Sequence, residues 1–87
     1  MNNQTKKLKD FVTRNEAYIE SSEWLTEQIN LIIDDYESYQ QTGTLPEGYD
    51  KENDLYDKML ELDKRAAIEE RVFKQLQKEQ EQLLNEL

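Results

Sequence analysis

Both glycines and the only proline of this 87-residue chain lie in one short stretch near its middle, residues 42–50. Gly43 can adopt the left-handed conformation that ends a helix, and Pro46 cannot continue one. Asp50 can accept hydrogen bonds from the free N–H groups at the start of a following helix. The stretch therefore predicts one bend between two long helices. The predicted boundaries, within a single domain spanning 1–87, are a frayed segment over 1–4, a helix over about 5–41, the bend over 42–50 and a helix over about 51–87.

The first arm carries apolar residues at alternating spacings of three and four, which is the pattern of a coiled-coil seam. With Leu8 at heptad position a, the apolar residues at a and d are Leu8, Phe11, Tyr18, Leu25, Ile29, Ile32, Tyr36 and Tyr39. Asn15 and Ser22 are polar residues at a, and a break at Ser21–Ser22 would give a third helix. Position e adds Val12, Ile19 and Ile33, so the apolar stripe is wider than one neighbouring helix covers.

The second arm repeats the pattern less regularly, because Glu69 and Gln80 interrupt it. Its apolar residues at a and d are Leu55, Met59, Leu62, Ala66, Phe73, Leu76, Leu83 and Leu87. The two arms predict an all-α fold, a two-helix antiparallel coiled-coil-like hairpin in which the numbers of paired residues sum to about 92. Because apolar positions are left over, we expect two hairpins to pair into a four-helix bundle as a symmetric homodimer.

The composition argues against catalysis and against a bound cofactor. The chain has no cysteine and no histidine, so it lacks disulfides, the usual soft zinc ligands and a base to activate Ser21 or Ser22. Acid pairs such as Asp34 and Asp35 lack the concave, partly dry site that acid–base catalysis needs. Asp50, Glu52, Asp54 and Glu61 match positions 1, 3, 5 and 12 of a calcium-binding EF-hand loop, but Leu55 stands where that loop requires glycine. We therefore expect no enzyme activity, no metal and no cofactor.

The overall charge restricts the partners that the chain can bind. Twenty acidic and 11 basic residues give a net charge of −9, which opposes direct binding to nucleic acid or to anionic lipid. The longest apolar runs are far shorter than a membrane span, and no signal-peptide pattern opens the chain. A cytoplasmic protein without membrane contact is the default expectation.

The charge is unevenly distributed along the chain. Residues 27–57 contain nine acidic residues and one basic residue, Lys51, which is a local net charge of −8. A hairpin would gather this segment at its bend, away from the basic cluster of Lys6, Lys7 and Lys9. The acids could simply solubilise the surface while nearby tyrosines cap the core, or they could bind a basic protein surface. On the binding hypothesis the contact residues at the bend are Asp34, Asp35, Tyr36, Glu37, Tyr39, Tyr49, Asp50 and Asp54.

Trp24 and Leu31 form a second candidate contact. Both occupy heptad position c, nearly opposite the seam, where a free tryptophan is unusual. The predicted register places Trp24 level with Ile68, and Leu31 level with Leu60 and Glu61. They form a second apolar patch, or else the register slips at Ser21–Ser22 and Trp24 belongs to the core.

Taken together, these patterns predict a non-catalytic protein-binding module, an acidic helical adaptor or inhibitor that engages a basic surface on a protein partner. One alternative is a DNA-mimic inhibitor of a nucleic-acid-binding protein, since carboxylates on a helical rod resemble in class the small acidic inhibitors of mobile genetic elements. Another alternative is a purely structural or scaffolding helical dimer. The first two depend on the acidic residues near the bend, and the third depends on the apolar residues of the arms.

Overall fold

The protein is an antiparallel helical hairpin. The computed structural model describes residues 3–86, which form two helices, α1 (Asn3–Thr42) and α2 (Glu52–Glu86), and no strand. The Cα trace measures 60 × 18 × 16 Å, as expected for two long helices lying side by side. The predicted all-α, two-helix hairpin is therefore confirmed. The seam position predicted for Leu87 lies outside the described residues.

The bend ends α1 through the geometry of Gly43. This residue has φ of +70°, and its N–H donates to the carbonyl of Tyr39 at 2.8 Å, which closes the last turn in the left-handed conformation. Gly48 also has a positive φ, of +98°, and the N–H of Tyr49 donates to the carbonyl of Pro46 at 3.3 Å. Both glycines thus occupy conformations that other residues adopt only with strain.

The first turn of α2 is capped by its own third residue. The carboxylate of Asp54 accepts a hydrogen bond from the Lys51 N–H at 3.2 Å, and the Asp54 N–H donates to the Lys51 carbonyl at 3.0 Å. This is one half of a capping box, with Lys51 just before the helix and the acid at its third position. The capping carboxylate is thus Asp54 and not Asp50, the residue that we expected in this role.

Cross-arm contacts fix the register of the hairpin. The rings of Tyr18 and Phe73 lie 6.0 Å apart, and those of Tyr36 and Tyr56 lie 6.4 Å apart. Nearer the open end, Arg14 Nη1 lies 2.6 Å from Glu79 Oε2. The paired numbers sum to 91, 92 and 93, in agreement with the predicted alignment. At that end Gln4, which we expected to be frayed, is part of α1, and its Nε2 donates to the carbonyl of Glu86 at 2.8 Å.

The helix α1 continues through Ser21–Ser22 without a break. Ser22 is half-buried in the seam, and the Ser21 hydroxyl donates to Glu69 Oε1 across the hairpin at 2.6 Å. The polar residues of the two arms therefore meet each other, and the alternative of a third helix is wrong.

The core is concentrated in the half of the hairpin that contains the bend. Leu25, Ile32, Leu55 and Leu62 form one buried cluster, and Leu55 is completely shielded from solvent. The residues packed against this cluster are Ile29, Tyr36, Tyr39, Tyr49, Met59 and Ala66. Among residues 3–86 the open half contributes one buried side chain, Leu76. The polar seam residues Asn15, Ser22, Glu69 and Gln80 all lie in that half, which accounts for its thinner core.

Candidate protein-interaction surfaces

The bend end of the hairpin carries almost all of the net charge, and we call residues 27–57 the acidic end. Nine acidic residues and Lys51 give this segment −8, while the remaining 11 acidic and 10 basic residues give −1. Asp34, Glu37, Asp50 and Asp54 are exposed to solvent, and Asp35 is half-buried. The fold therefore turns a local excess of acid in the sequence into a charged tip.

No ion pair within residues 3–86 offsets that charge. The four ion pairs of the described residues join Lys7 to Glu86, Arg14 to Glu79, Lys58 to Glu61 and Lys74 to Glu70. All of them lie outside the acidic end. The Lys58–Glu61 pair follows the acidic end on α2, and the other three pairs lie toward the open end, so no carboxylate of residues 27–57 has an ion-pair partner within the described residues.

Three of the four tyrosines of the acidic end pack against the core, and the fourth, Tyr56, is exposed. Tyr36, Tyr39 and Tyr49 are half-buried against the core cluster, and burial together with the nearby charge of Asp35 raises the pKa of Tyr49. The Tyr56 hydroxyl donates to Glu52 Oε1 at 2.9 Å, and this hydrogen bond, followed by burial and the charges of its neighbours, raises the pKa of Tyr56. The rings of Tyr36, Tyr39 and Tyr49 thus extend the core toward the tip.

Trp24 and Leu31 lie outside the core, so the alternative of a slipped register is wrong. Their exposed fractions are 44% and 53%. One face of the indole is covered by Arg65, whose guanidinium carbon lies 4.8 Å from the ring centroid. Such a stack is a cation–π contact. Leu60, which we expected level with Leu31, occupies position b of α2, on the opposite flank of the hairpin.

The structure also bears on the EF-hand-like carboxylates and on the absence of a membrane span that the sequence suggested. Glu52, Asp54 and Glu61 belong to the continuous helix α2, and the Asp54 carboxylate is engaged at its first turn. Over residues 3–86, no three acidic side chains converge closely enough to bind a metal ion. The described helices also include none with both the length and the apolar character needed to cross a bilayer.

Arg65 is the surface residue that the sequence pattern missed. It follows Lys64 on a helix rich in charge, and heptad counting places it at position g without indicating a partner. The only available signal was the predicted register, which puts Trp24 within one helical turn of it. A long guanidinium side chain at that level can reach back over an exposed indole.

Comparison with known proteins gives no relative from which a function could be transferred. No family model matches the chain, and neither a curated protein nor a solved structure matches it. Its function is therefore inferred from its own surfaces, which are the acidic end, the patch around Trp24 and the apolar side chains exposed along the arms.

Proposed function

We propose that this hairpin is a non-catalytic protein-binding module, an adaptor or inhibitor whose acidic end engages a basic surface on a protein partner. The observation that supports the proposal is the uncompensated charge, −8 of the total −9, on one end of a 60 Å rod. A field of one sign steers an oppositely charged partner and orients it before contact.

The magnitudes favour several acids acting together. One exposed ion pair contributes about 0.2–1 kcal/mol, which is too little to define a partner. Three or four pairs made at once amount to about 0.6–4 kcal/mol, which changes affinity by about threefold to nearly a thousandfold. Because screening acts over about 10 Å at 0.1 M salt, the complex weakens as salt is added.

The roles of the individual residues follow from their positions. Asp34, Glu37 and Asp50 are exposed and supply the contact charges. The Asp54 carboxylate is engaged at the start of α2, and Asp35 is half-buried. The half-buried tyrosines Tyr36, Tyr39 and Tyr49 hold the tip in shape and offer their edges to the partner. Trp24, with Leu31 beside it, provides a second contact on the side of the rod.

A charge-neutralised variant tests the acidic end. The variant Asp34→Asn/Glu37→Gln/Asp50→Asn leaves the Asp54 cap intact and changes the net charge from −9 to −6. A matched control, Asp10→Asn/Glu16→Gln/Glu81→Gln, makes the same change with exposed acids elsewhere. Partners recovered with the wild-type chain are identified by intact-complex mass, and their affinities for all three chains are measured at two salt concentrations.

We expect the tip variant to lose about tenfold or more in affinity and the control to lose much less. Equal partner affinities for the two variants would show that the acidic end is not the binding surface. Competition by duplex DNA separates two cases: a partner displaced by DNA makes the hairpin a DNA mimic, and a partner that is not displaced makes it an adaptor for another basic surface.

A structural role in a homodimer is the second candidate function, and it is favoured by the apolar side chains of the arms. Twelve large hydrophobic side chains among the described residues are at least 36% exposed. An isolated hairpin buries only one seam, so these side chains gain burial when two hairpins associate into a four-helix bundle. Self-association is measured independently of the partner, by the mass of the purified chain as a function of concentration.

A further inference from the structure

One side of the hairpin carries most of its exposed large apolar side chains, and we call this side the apolar flank. Its members occupy heptad positions a, b and e, which point to the same side of the seam. They are Leu8, Val12, Ile19, Ile33, Tyr56, Leu60, Phe73 and Leu84. Eight of the 12 exposed large hydrophobic side chains of residues 3–86 therefore lie on one flank, and only Trp24, Leu31, Ile68 and Val72 lie on the other.

Charged rows of opposite sign border the apolar flank. Along the outer edge of α1, heptad positions b and f carry the acidic row, Glu16, Glu20, Glu23 and Glu27. Along the outer edge of α2, the same positions carry the basic row, Lys64, Arg71, Lys74 and Lys78. All eight side chains are exposed. The flank thus has acid on one edge and base on the other, and its apolar side chains form two groups separated by the exposed Asp63 and Glu70.

This pattern fits a second copy of the chain in one orientation. A half turn about the long axis of the rod keeps both bends at the same end and lays each α1 over the partner's α2. Because paired numbers sum to about 92, Glu20 then lies level with Arg71 of the partner subunit, and Glu27 lies level with Lys64 of the partner subunit. Between the rows, Ile19 lies level with Phe73 of the partner subunit.

The opposite orientation is disfavoured by the same charges. If the bends lay at opposite ends, α1 would lie over the partner's α1, and the acidic row would face an acidic row. The basic rows would likewise face each other. Like charges at close range are destabilising, so the two arrangements differ in the sign of their edge interactions.

We propose that a second copy docks on the apolar flank with both bends at one end, so that the acidic row of each chain pairs with the basic row of the other. The proposal deepens the proposed self-association and does not depend on what the acidic end binds. It places two acidic ends side by side. Their mutual repulsion opposes dimerisation at that tip, and a basic partner bound there therefore strengthens the dimer.

Row-reversal variants test the pairing. The acidic-row variant is Glu20→Lys/Glu27→Lys, the basic-row variant is Lys64→Glu/Arg71→Glu, and the full swap combines all four changes while keeping the net charge at −9. Dimer dissociation constants are measured by sedimentation, and helicity by circular dichroism. We expect each single-row variant to dimerise about tenfold or more weakly, and the full swap to regain wild-type affinity.

Cross-linking tests the orientation, because the described residues contain no cysteine that could interfere. With a short cross-linker, Thr44→Cys chains, labelled at the bend, should join to each other. A mixture of Thr44→Cys and Asn85→Cys chains should not give bend-to-open-end products. Both sites are exposed.

Several results would overturn the proposal. A wild-type chain that stays monomeric shows that the flank is not self-complementary, and a bend-to-open-end cross-link shows the opposite orientation. Single-row variants that dimerise as well as the wild type would show that the charged rows do not pair across the dimer. A full swap that fails to regain wild-type affinity would show the same. All of these results are obtained with the purified chain alone, so a failed dimer is distinguishable from failed binding at the acidic end, which is measured with a different partner.

Discussion

The Ser21 hydroxyl donates a 2.6 Å hydrogen bond to Glu69 Oε1 across the seam, at a level where a regular coiled coil would place apolar side chains. Glu69 occupies a d position and is half-buried, so its carboxylate is partly withdrawn from water. The hydrogen bond recovers only part of that desolvation. This site is therefore a weak point in the hairpin.

Replacing the acid should stabilise the fold. We expect Glu69→Leu to raise the free energy of unfolding by about 1 kcal/mol, because a leucine at d buries apolar surface where a carboxylate now sits. The control is Asn85→Leu, which puts the same side chain on the exposed outer face of α2. Urea unfolding followed by circular dichroism measures both. A loss of stability in Glu69→Leu would mean that the Ser21–Glu69 hydrogen bond outweighs apolar burial.

Replacing a buried and an exposed leucine by alanine should give different losses of unfolding free energy. Leu62 is 2% exposed in the core cluster, and Leu31 is 53% exposed on the side of the rod. We expect Leu62→Ala to cost about 2–4 kcal/mol of unfolding free energy, and Leu31→Ala to cost less than about 1 kcal/mol. Thermal and urea unfolding measure the difference. Comparable losses at the two sites would place Leu31 in a buried environment.

The contact between Arg65 and Trp24 should be visible by fluorescence, because Trp24 is the only tryptophan. With the guanidinium removed in Arg65→Gln, we expect a changed indole emission and a loss of about 0.5–1 kcal/mol. Arg14→Gln also removes one guanidinium but acts at the Glu79 ion pair, so its emission should match the wild type. An Arg65→Gln spectrum identical to that of the wild type would mean that the stack is not maintained in solution.

The raised pKa values of two tyrosines near the bend predict that the fold loses stability at high pH. Tyr49 and Tyr56 both have folded-state pKa values above the usual 10.0, so the folded chain favours their protonated forms. Their contribution to stability is present below pH 10.0 and is lost as the pH rises through the folded-state values. We expect Glu52→Ala to lower the pKa of Tyr56, since its main cause is that hydrogen bond. Phenolate absorbance during titration measures this, and an unchanged curve would contradict it.

The uneven core predicts uneven protection of backbone amides. Four of the five buried side chains of the described residues lie between Leu25 and Leu62, and the open half contains the polar seam positions. Local opening follows the density of buried contacts. We expect hydrogen exchange at concentrations that keep the chain monomeric to be slowest around Ile32 and Leu55 and fastest near both termini. Uniform protection along the two arms would contradict this gradient.

The hairpin could be predicted from the sequence because its determinants are local or periodic. Gly43 and Pro46 mark the bend, and the three-and-four spacing through Leu25, Ile29 and Ile32 marks the seam, so bend and periodicity together imply the register. The continuity of α1 at Ser21–Ser22 was harder to predict, since it depends on Glu69 from the other arm. Heptad counting assigns each arm separately and does not pair their polar residues.

The details of the surfaces escaped prediction for a related reason. Asp50 and Asp54 are both plausible caps, and only the path of the bend decides that Asp54 reaches the Lys51 N–H. The position of Arg65 over Trp24 depends on side-chain conformation, which spacing does not encode. The exposed fractions along the apolar flank likewise require the packed hairpin, because a wide stripe alone does not say which of its edges stays uncovered.

The seam pattern repeats every heptad and sets the length of the hairpin, whereas the bend and the side chains around it form the acidic end. The length of the hairpin can therefore change without changing the surface at the bend. Taking one heptad from each arm at the open end would shorten the molecule by about 10 Å and leave the bend unchanged. Chains of this design with different numbers of heptads would place the same acidic end at different distances from a contact made at the open end.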